Sequence, residues 1–153
     1  MAIPLKQRAL AGLWFMAAAT LIVLPIAPTV VPFHSESVAF VIWMLLSPLL
    51  VSGLVGSLLG ASILDAQKVR SGWRAALRGL LVSVMAYLLF AILFSIWEGA
   101  NHLSLSFREA FAQMFFWIMA AGVIFFGWVV AIVGALAGWI LHLIAAAREK
   151  RTA

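Results

Sequence analysis

The chain alternates long apolar runs with short polar breaks. No Asp, Glu, Lys, Arg or His occurs in residues 9–31, 38–64, 79–97 or 114–141. An α-helix needs about 20 apolar residues to cross a hydrocarbon core roughly 30 Å thick. The pattern therefore predicts an all-α integral membrane protein with four transmembrane helices in a single domain, residues 1–153. The predicted spans are residues 9–31, 38–64, 73–97 and 114–146.

The charged residues predict how these helices thread through the membrane. If the chain crosses four times, nine of its ten Lys and Arg residues fall on one side: Lys6, Arg8, Lys68, Arg70, Arg74, Arg78, Arg148, Lys150 and Arg151. With Asp65 and Glu149 that side carries +7, and the other side carries −2. Because Lys and Arg accumulate on the cytoplasmic face, we expect two antiparallel hairpins with both termini in the cytoplasm.

Composition supports lipid as the main surroundings of this protein. The chain is 66% hydrophobic and 10% charged, with a mean hydropathy of +1.16, whereas soluble domains are about 45–50% apolar and about 25% charged. The net charge of +5 follows from the threading, so nucleic acid is not an expected partner and membrane lipids are. Compactness and the absence of processing signals favour a multi-pass protein of the bacterial inner membrane.

The polar break before the fourth span holds a helix-start signal. Ser106 and Glu109 have the spacing of a capping box, in which the two side chains satisfy backbone donors at a helix N-terminus. A helix from there to Ala147 would be about 60 Å long, which is far more than a bilayer needs. We therefore expect a short interfacial helix that lies partly along the membrane before the fourth span turns in.

Small residues form two stripes that predict close helix packing. Gly53, Gly56 and Gly60 lie in the second span, and Gly134 and Gly138 form a GxxxG pattern in the fourth. Such stripes let helix backbones approach closely in lipid. The leading hypothesis is a non-catalytic subunit, or an assembly and stability partner, of a larger membrane complex. A homo-oligomer would use the same helix-packing seams.

The absence of ionisable groups from the spans argues against proton relays and ion-coupled carriers, which place such groups inside the membrane. A small oligomeric transporter or channel for an uncharged or lipid-like solute is the alternative. A pore in such an oligomer would be lined by serines such as Ser47 and Ser52. Tyr87, near the middle of the third span, is expected to form an internal hydrogen bond, for which Ser47 and Ser52 are candidate acceptors.

Histidines raise a second alternative, a membrane anchor that binds haem or a metal. His34 and His102 fall on the same predicted side, near Glu36 and Glu109, although loop positions suit haem poorly. The same loops hold enough acids and histidines for acid–base chemistry, but no catalytic motif spacing accompanies them. The chain has no Cys, which excludes thiolate chemistry. We therefore expect no enzyme activity, cofactor or metal.

Overall fold

The computed structural model describes residues 4–30, 38–64, 71–101, 105–122, 124 and 127–152. Within these ranges the secondary structure is helical, and no strand occurs. The five α-helices are α1 (Leu5–Val30), α2 (Val38–Leu58), α3 (Gly72–Asn101), α4 (Phe107–Ala121) and α5 (Gly127–Thr152). A short 3-10 helix, Gly60–Leu64, follows α2.

Four of these helices are long and apolar enough to cross a membrane. The qualifying stretches are Leu5–Pro25, Val41–Leu58, Gly72–Asn101 and Gly127–Arg148. The predictions of an all-helical fold and of four apolar spans are confirmed at this level. These helices indicate a multi-pass membrane protein.

The four long helices form a closed ring. In this ring α1 packs against α2, α2 against α3, α3 against α5, and α5 against α1. The indole N–H of Trp14 in α1 donates a 2.9 Å hydrogen bond to the carbonyl oxygen of Ala137 in α5. Helix α4 packs mainly against α3.

The 3-10 helix closes one end of the ring. It contacts α1, α2, α3 and α5, and the side chains of Ala61 and Ile63 are fully buried. The Arg78 guanidinium in α3 donates a 3.0 Å hydrogen bond to the carbonyl oxygen of Ser62. This bond connects α3 to the short helix.

Helix α4 starts with the predicted capping box, which is confirmed. The Glu109 backbone N–H donates to the Ser106 hydroxyl at 3.4 Å, and the Ser106 N–H donates to the Glu109 carboxylate at 3.2 Å. The Ser106 hydroxyl also donates to this carboxylate, at 2.6 Å. These bonds stabilise the charged carboxylate and hold the pKa of Glu109 below its ordinary value.

The course of α4 differs from the expected interfacial helix. Phe107, at its start, lies against Gly99 of α3, and Ile118, near its end, accepts a hydrogen bond from Tyr87 of α3. The stretch of α4 from Phe107 to Ile118 and the stretch of α3 from Tyr87 to Gly99 are each about 17–18 Å long. Because their ends are in contact, the two helices run side by side. Helix α4 therefore follows α3 in the direction of the bundle instead of lying along the membrane surface.

The predicted fourth span, residues 114–146, includes parts of two helices. Helix α4 ends at Ala121, and α5 begins at Gly127. The last turn of α4 lies against Tyr87, well inside α3. The end of α4 therefore lies beside the interior of α3.

Candidate functional site

A cavity of about 290 Å³ lies among the helices. All five α-helices contribute to its lining, for example through Phe15 of α1, Met44 of α2, Phe90 of α3, Ile118 of α4 and Val133 of α5. The cavity is partly open. It lies away from the end that the 3-10 helix closes, because none of the residues of that helix lines it.

Small and helix-breaking residues leave the space for this cavity. Ala18 and Ala19 of α1 and Ala86 of α3 line it. Pro48, in the interior of α2, also lines it. Proline has no N–H to donate to the carbonyl four residues earlier, here that of Met44, and its ring bends a helix. The helices therefore surround a space that they do not fill.

The lining is apolar apart from three hydroxyl groups. Among the described residues these belong to Ser52 of α2 and to Ser83 and Tyr87 of α3, and no Asp, Glu, Lys, Arg or His lines the cavity. An apolar cavity of about 150 Å³ binds a benzene molecule, so this cavity has room for roughly twice that volume. Such a site can accept an uncharged, largely apolar molecule and disfavours a charged one.

Tyr87 connects the cavity wall to the last turn of α4. Its hydroxyl donates a hydrogen bond to the carbonyl oxygen of Ile118 in the last turn of α4, and the same oxygen also accepts the backbone N–H of Gly122. A side chain on Gly122 would overlap this hydroxyl. The expected internal hydrogen bond is confirmed, but its acceptor is a backbone carbonyl instead of Ser47 or Ser52, because α4 lies closer to Tyr87 than we anticipated.

The glycines predicted in the second span face α1 of the same chain. A Cβ atom built on Gly56 or Gly60 would lie 2.7 Å or 2.6 Å from atoms of Phe15. A Cβ on Gly53 would lie 3.6 Å from the Cβ of Met16, which is an ordinary contact. This stripe therefore packs within the bundle.

Gly134 and Gly138 of α5 face α3, and their partner is Gly79. A Cβ on Gly138 would lie 2.7 Å from the Cα atom of Gly79. Sequence reasoning did not single out Gly79. The signal was present, since Ala75, Gly79 and Ser83 place small residues at intervals of four along α3. A role for the five predicted seam glycines in binding a second protein stays a prediction.

The predicted topology residues are only partly within the described chain. Arg74 and Arg148 are exposed, and Arg78 binds the 3-10 helix. Lys150 and Arg151 belong to α5, but their side chains, like the loop residues Lys68 and Arg70, lie outside the described part. The histidine hypothesis also falls there, because His34, Glu36 and His102 are not described. Among the described residues, no three His, Asp or Glu side chains are close enough to bind a metal ion.

Comparison with protein families, curated protein sequences and solved structures finds no significant match. Fold and site together define a class, a multi-pass helical membrane protein with an apolar cavity inside its bundle. Within that class, function has to be argued from the cavity and from the surface of the bundle.

Proposed function

We propose that this protein binds an uncharged, lipid-like molecule in the cavity and acts without catalysing a reaction. The cavity is the observation that carries this proposal, since five helices contribute to a space of about 290 Å³ with an almost entirely apolar lining. Ligand pockets have volumes of roughly 300–1,000 Å³ and are lined mainly by apolar and aromatic side chains. The volume fits a small hydrophobic molecule or a segment of one lipid chain.

Native mass spectrometry of the protein purified in mild detergent tests this proposal. We expect a population with one apolar molecule bound per chain, which persists after washing that removes annular lipid. A spectrum that contains only the bare chain, even after membrane lipid extract is added back, would contradict the proposal.

We also propose that the four spans form two antiparallel hairpins with both termini in the cytoplasm of a bacterium. Neighbouring contacts support the antiparallel arrangement. In the first pair, Ala11 lies beside Gly60 and Met16 beside Gly53. In the second pair, Gly72 lies beside Trp139 and Ser83 beside Gly134. The Lys and Arg distribution supports the orientation.

Single cysteines test this orientation cleanly, because the chain has none of its own. Leu105 and Ala147 are both exposed, one before α4 and one near the end of α5. On intact cells a membrane-impermeant maleimide should label Leu105→Cys. It should label Ala147→Cys only after the membrane is opened. Labelling of Ala147→Cys on intact cells, or of both positions, would refute the orientation.

Two exposed tryptophans favour a second candidate function, the contact with another membrane protein. Trp117 is 61% exposed and Trp128 is 63% exposed. Trp117 comes directly before Ile118, whose carbonyl binds Tyr87 near the middle of α3. The Trp117 indole therefore lies far from the headgroup levels where Trp usually occurs. An indole N–H at this depth has no water to bind, and a partner helix would cover it.

Substitution of both tryptophans tests this candidate on native gels. If a partner or a second copy binds there, Trp117→Ala together with Trp128→Ala should weaken the larger complex about tenfold or more, since buried Trp anchors dominate many interfaces. Trp73→Ala is the matched control, because Trp73 is 71% exposed but lies at a helix end. If the wild type, the double variant and Trp73→Ala all migrate equally, the support for a partner is lost.

A further inference from the structure

Two serine hydroxyls that line the cavity have no hydrogen-bond partner among the described residues. They belong to Ser52 of α2 and Ser83 of α3. The Ser47 hydroxyl of α2 is also unpaired, but it is buried away from the cavity lining, and several other hydroxyls of the described helices are paired. Thr20, Ser57 and Ser95 each donate to a backbone carbonyl three or four residues earlier, at distances of 2.7–3.0 Å. The cavity therefore holds two hydroxyl donors that the helices themselves do not use.

Tyr87 adds an acceptor to this pair of donors. Its proton is already engaged by the carbonyl of Ile118, so its oxygen can only accept a hydrogen bond from a ligand. It lies one helical turn from Ser83, on the same face of α3. An unpaired hydroxyl in an apolar environment is unfavourable, and the two serines would be satisfied by a ligand oxygen that accepts hydrogen bonds.

The depth of these hydroxyls limits the kind of lipid that can supply such an oxygen. Trp73 and Trp97, which are expected at the two headgroup levels, are equally far from Met85. Ser83 and Tyr87 each lie about 3 Å along the helix from that midpoint. The ester groups of phospholipids remain near the headgroups, roughly 15 Å from the bilayer centre. A lipid without a charged headgroup can enter fully.

We propose that the cavity selects an uncharged lipid with a carbonyl group, such as a quinone or a neutral ester, and that the hydroxyls of Ser52 and Ser83 donate hydrogen bonds to its oxygen atoms. This inference rests on the proposed function, because it names the ligand class for the same cavity. The apolar lining binds the chain or ring of the lipid, and the two hydroxyls supply the selectivity for its polar group. No ionisable lining residue is needed for this recognition.

Three photoreactive probes with the same diazirine-bearing chain test the inference. They are methyl palmitate, hexadecane and a phosphatidylcholine. In the wild-type protein the ester should label the cavity about sevenfold more than the alkane, because two hydrogen bonds of the average strength between membrane helices are worth that ratio. The phospholipid should label mainly the exposed faces of the helices. Adducts are located by peptide mapping.

In the double variant Ser52→Ala with Ser83→Ala, labelling of the cavity by the ester probe should fall to the level of the alkane probe. Labelling by the alkane should not change. Ser57→Ala is the matched control, since Ser57 donates to the Leu54 carbonyl and does not line the cavity. Equal labelling by ester and alkane in the wild type, or an unchanged ratio in the double variant, would overturn the inference and leave the proposed function intact. Strong cavity labelling by the phospholipid would also overturn it. Failure of all three probes to label the cavity would refute the proposed function itself.

Discussion

Replacement of Gly79 by Ala should cost about 3 kcal/mol or more of unfolding free energy, the upper part of the range for overpacked sites. A Cβ there would lie 2.7 Å from the Cα and 2.8 Å from the N of Gly138, and would overlap the carbonyl oxygen of Gly134. These atoms are backbone, so a change of rotamer cannot relieve the overlap. The only relief is a separation of α3 and α5, which loses their mutual packing.

Gly53→Ala is the control for this prediction, because its Cβ would make only an ordinary 3.6 Å contact with Met16. We expect its unfolding free energy to stay within about 1 kcal/mol of the wild type. Titration with SDS in mixed micelles measures both variants. Equal stabilities of the Gly79 and Gly53 variants would show that the α3–α5 interface is not as tight as described.

Filling the cavity from α3 should abolish ligand binding. Ala86 is 5% exposed and lines the cavity, so the phenyl ring of Ala86→Phe would project into it. A benzene ring occupies an apolar cavity of about 150 Å³, which is roughly half of the 290 Å³ present here. We expect the population with a bound molecule in native mass spectra to fall at least about tenfold, because too little connected space remains.

Two further variants separate this effect from general damage to the protein. Ala19→Phe fills the same cavity from α1 and should have the same result. Ala112→Phe adds the same ring at an exposed position of α4 and should retain the bound molecule. Unchanged binding in both cavity variants, with helix content preserved by circular dichroism, would mean that the molecule binds elsewhere.

The apolar runs and the capping box could be predicted from the sequence, because both depend on residues that are close together in the chain. Run length against bilayer thickness identified the spans, and the spacing of Ser106 and Glu109 identified the start of α4. The path of α4 could not be predicted from the sequence. It depends on contacts between Phe107 and Gly99 and between Ile118 and Tyr87, which join residues of two different helices.

The cavity could not be predicted for a related reason. A helix with apolar residues on every side gives no periodic signal for the face that it turns toward its neighbours. In the sequence, nothing distinguishes Ala18, Ala19 and Ala86 from other small residues. Only the three-dimensional packing places them around one space with Pro48. The seam glycines were found from their spacing, whereas the identity of the facing helix required the fold.

The most direct test of a ligand-binding cavity is a crystal structure of the wild-type protein grown from a lipid mesophase. We expect continuous, elongated density in the space bounded by Phe15, Pro48 and Tyr87, with a polar end near Ser52 and Ser83. A bundle in which Phe15 closes onto Val133 and leaves no space for a molecule would contradict the proposal.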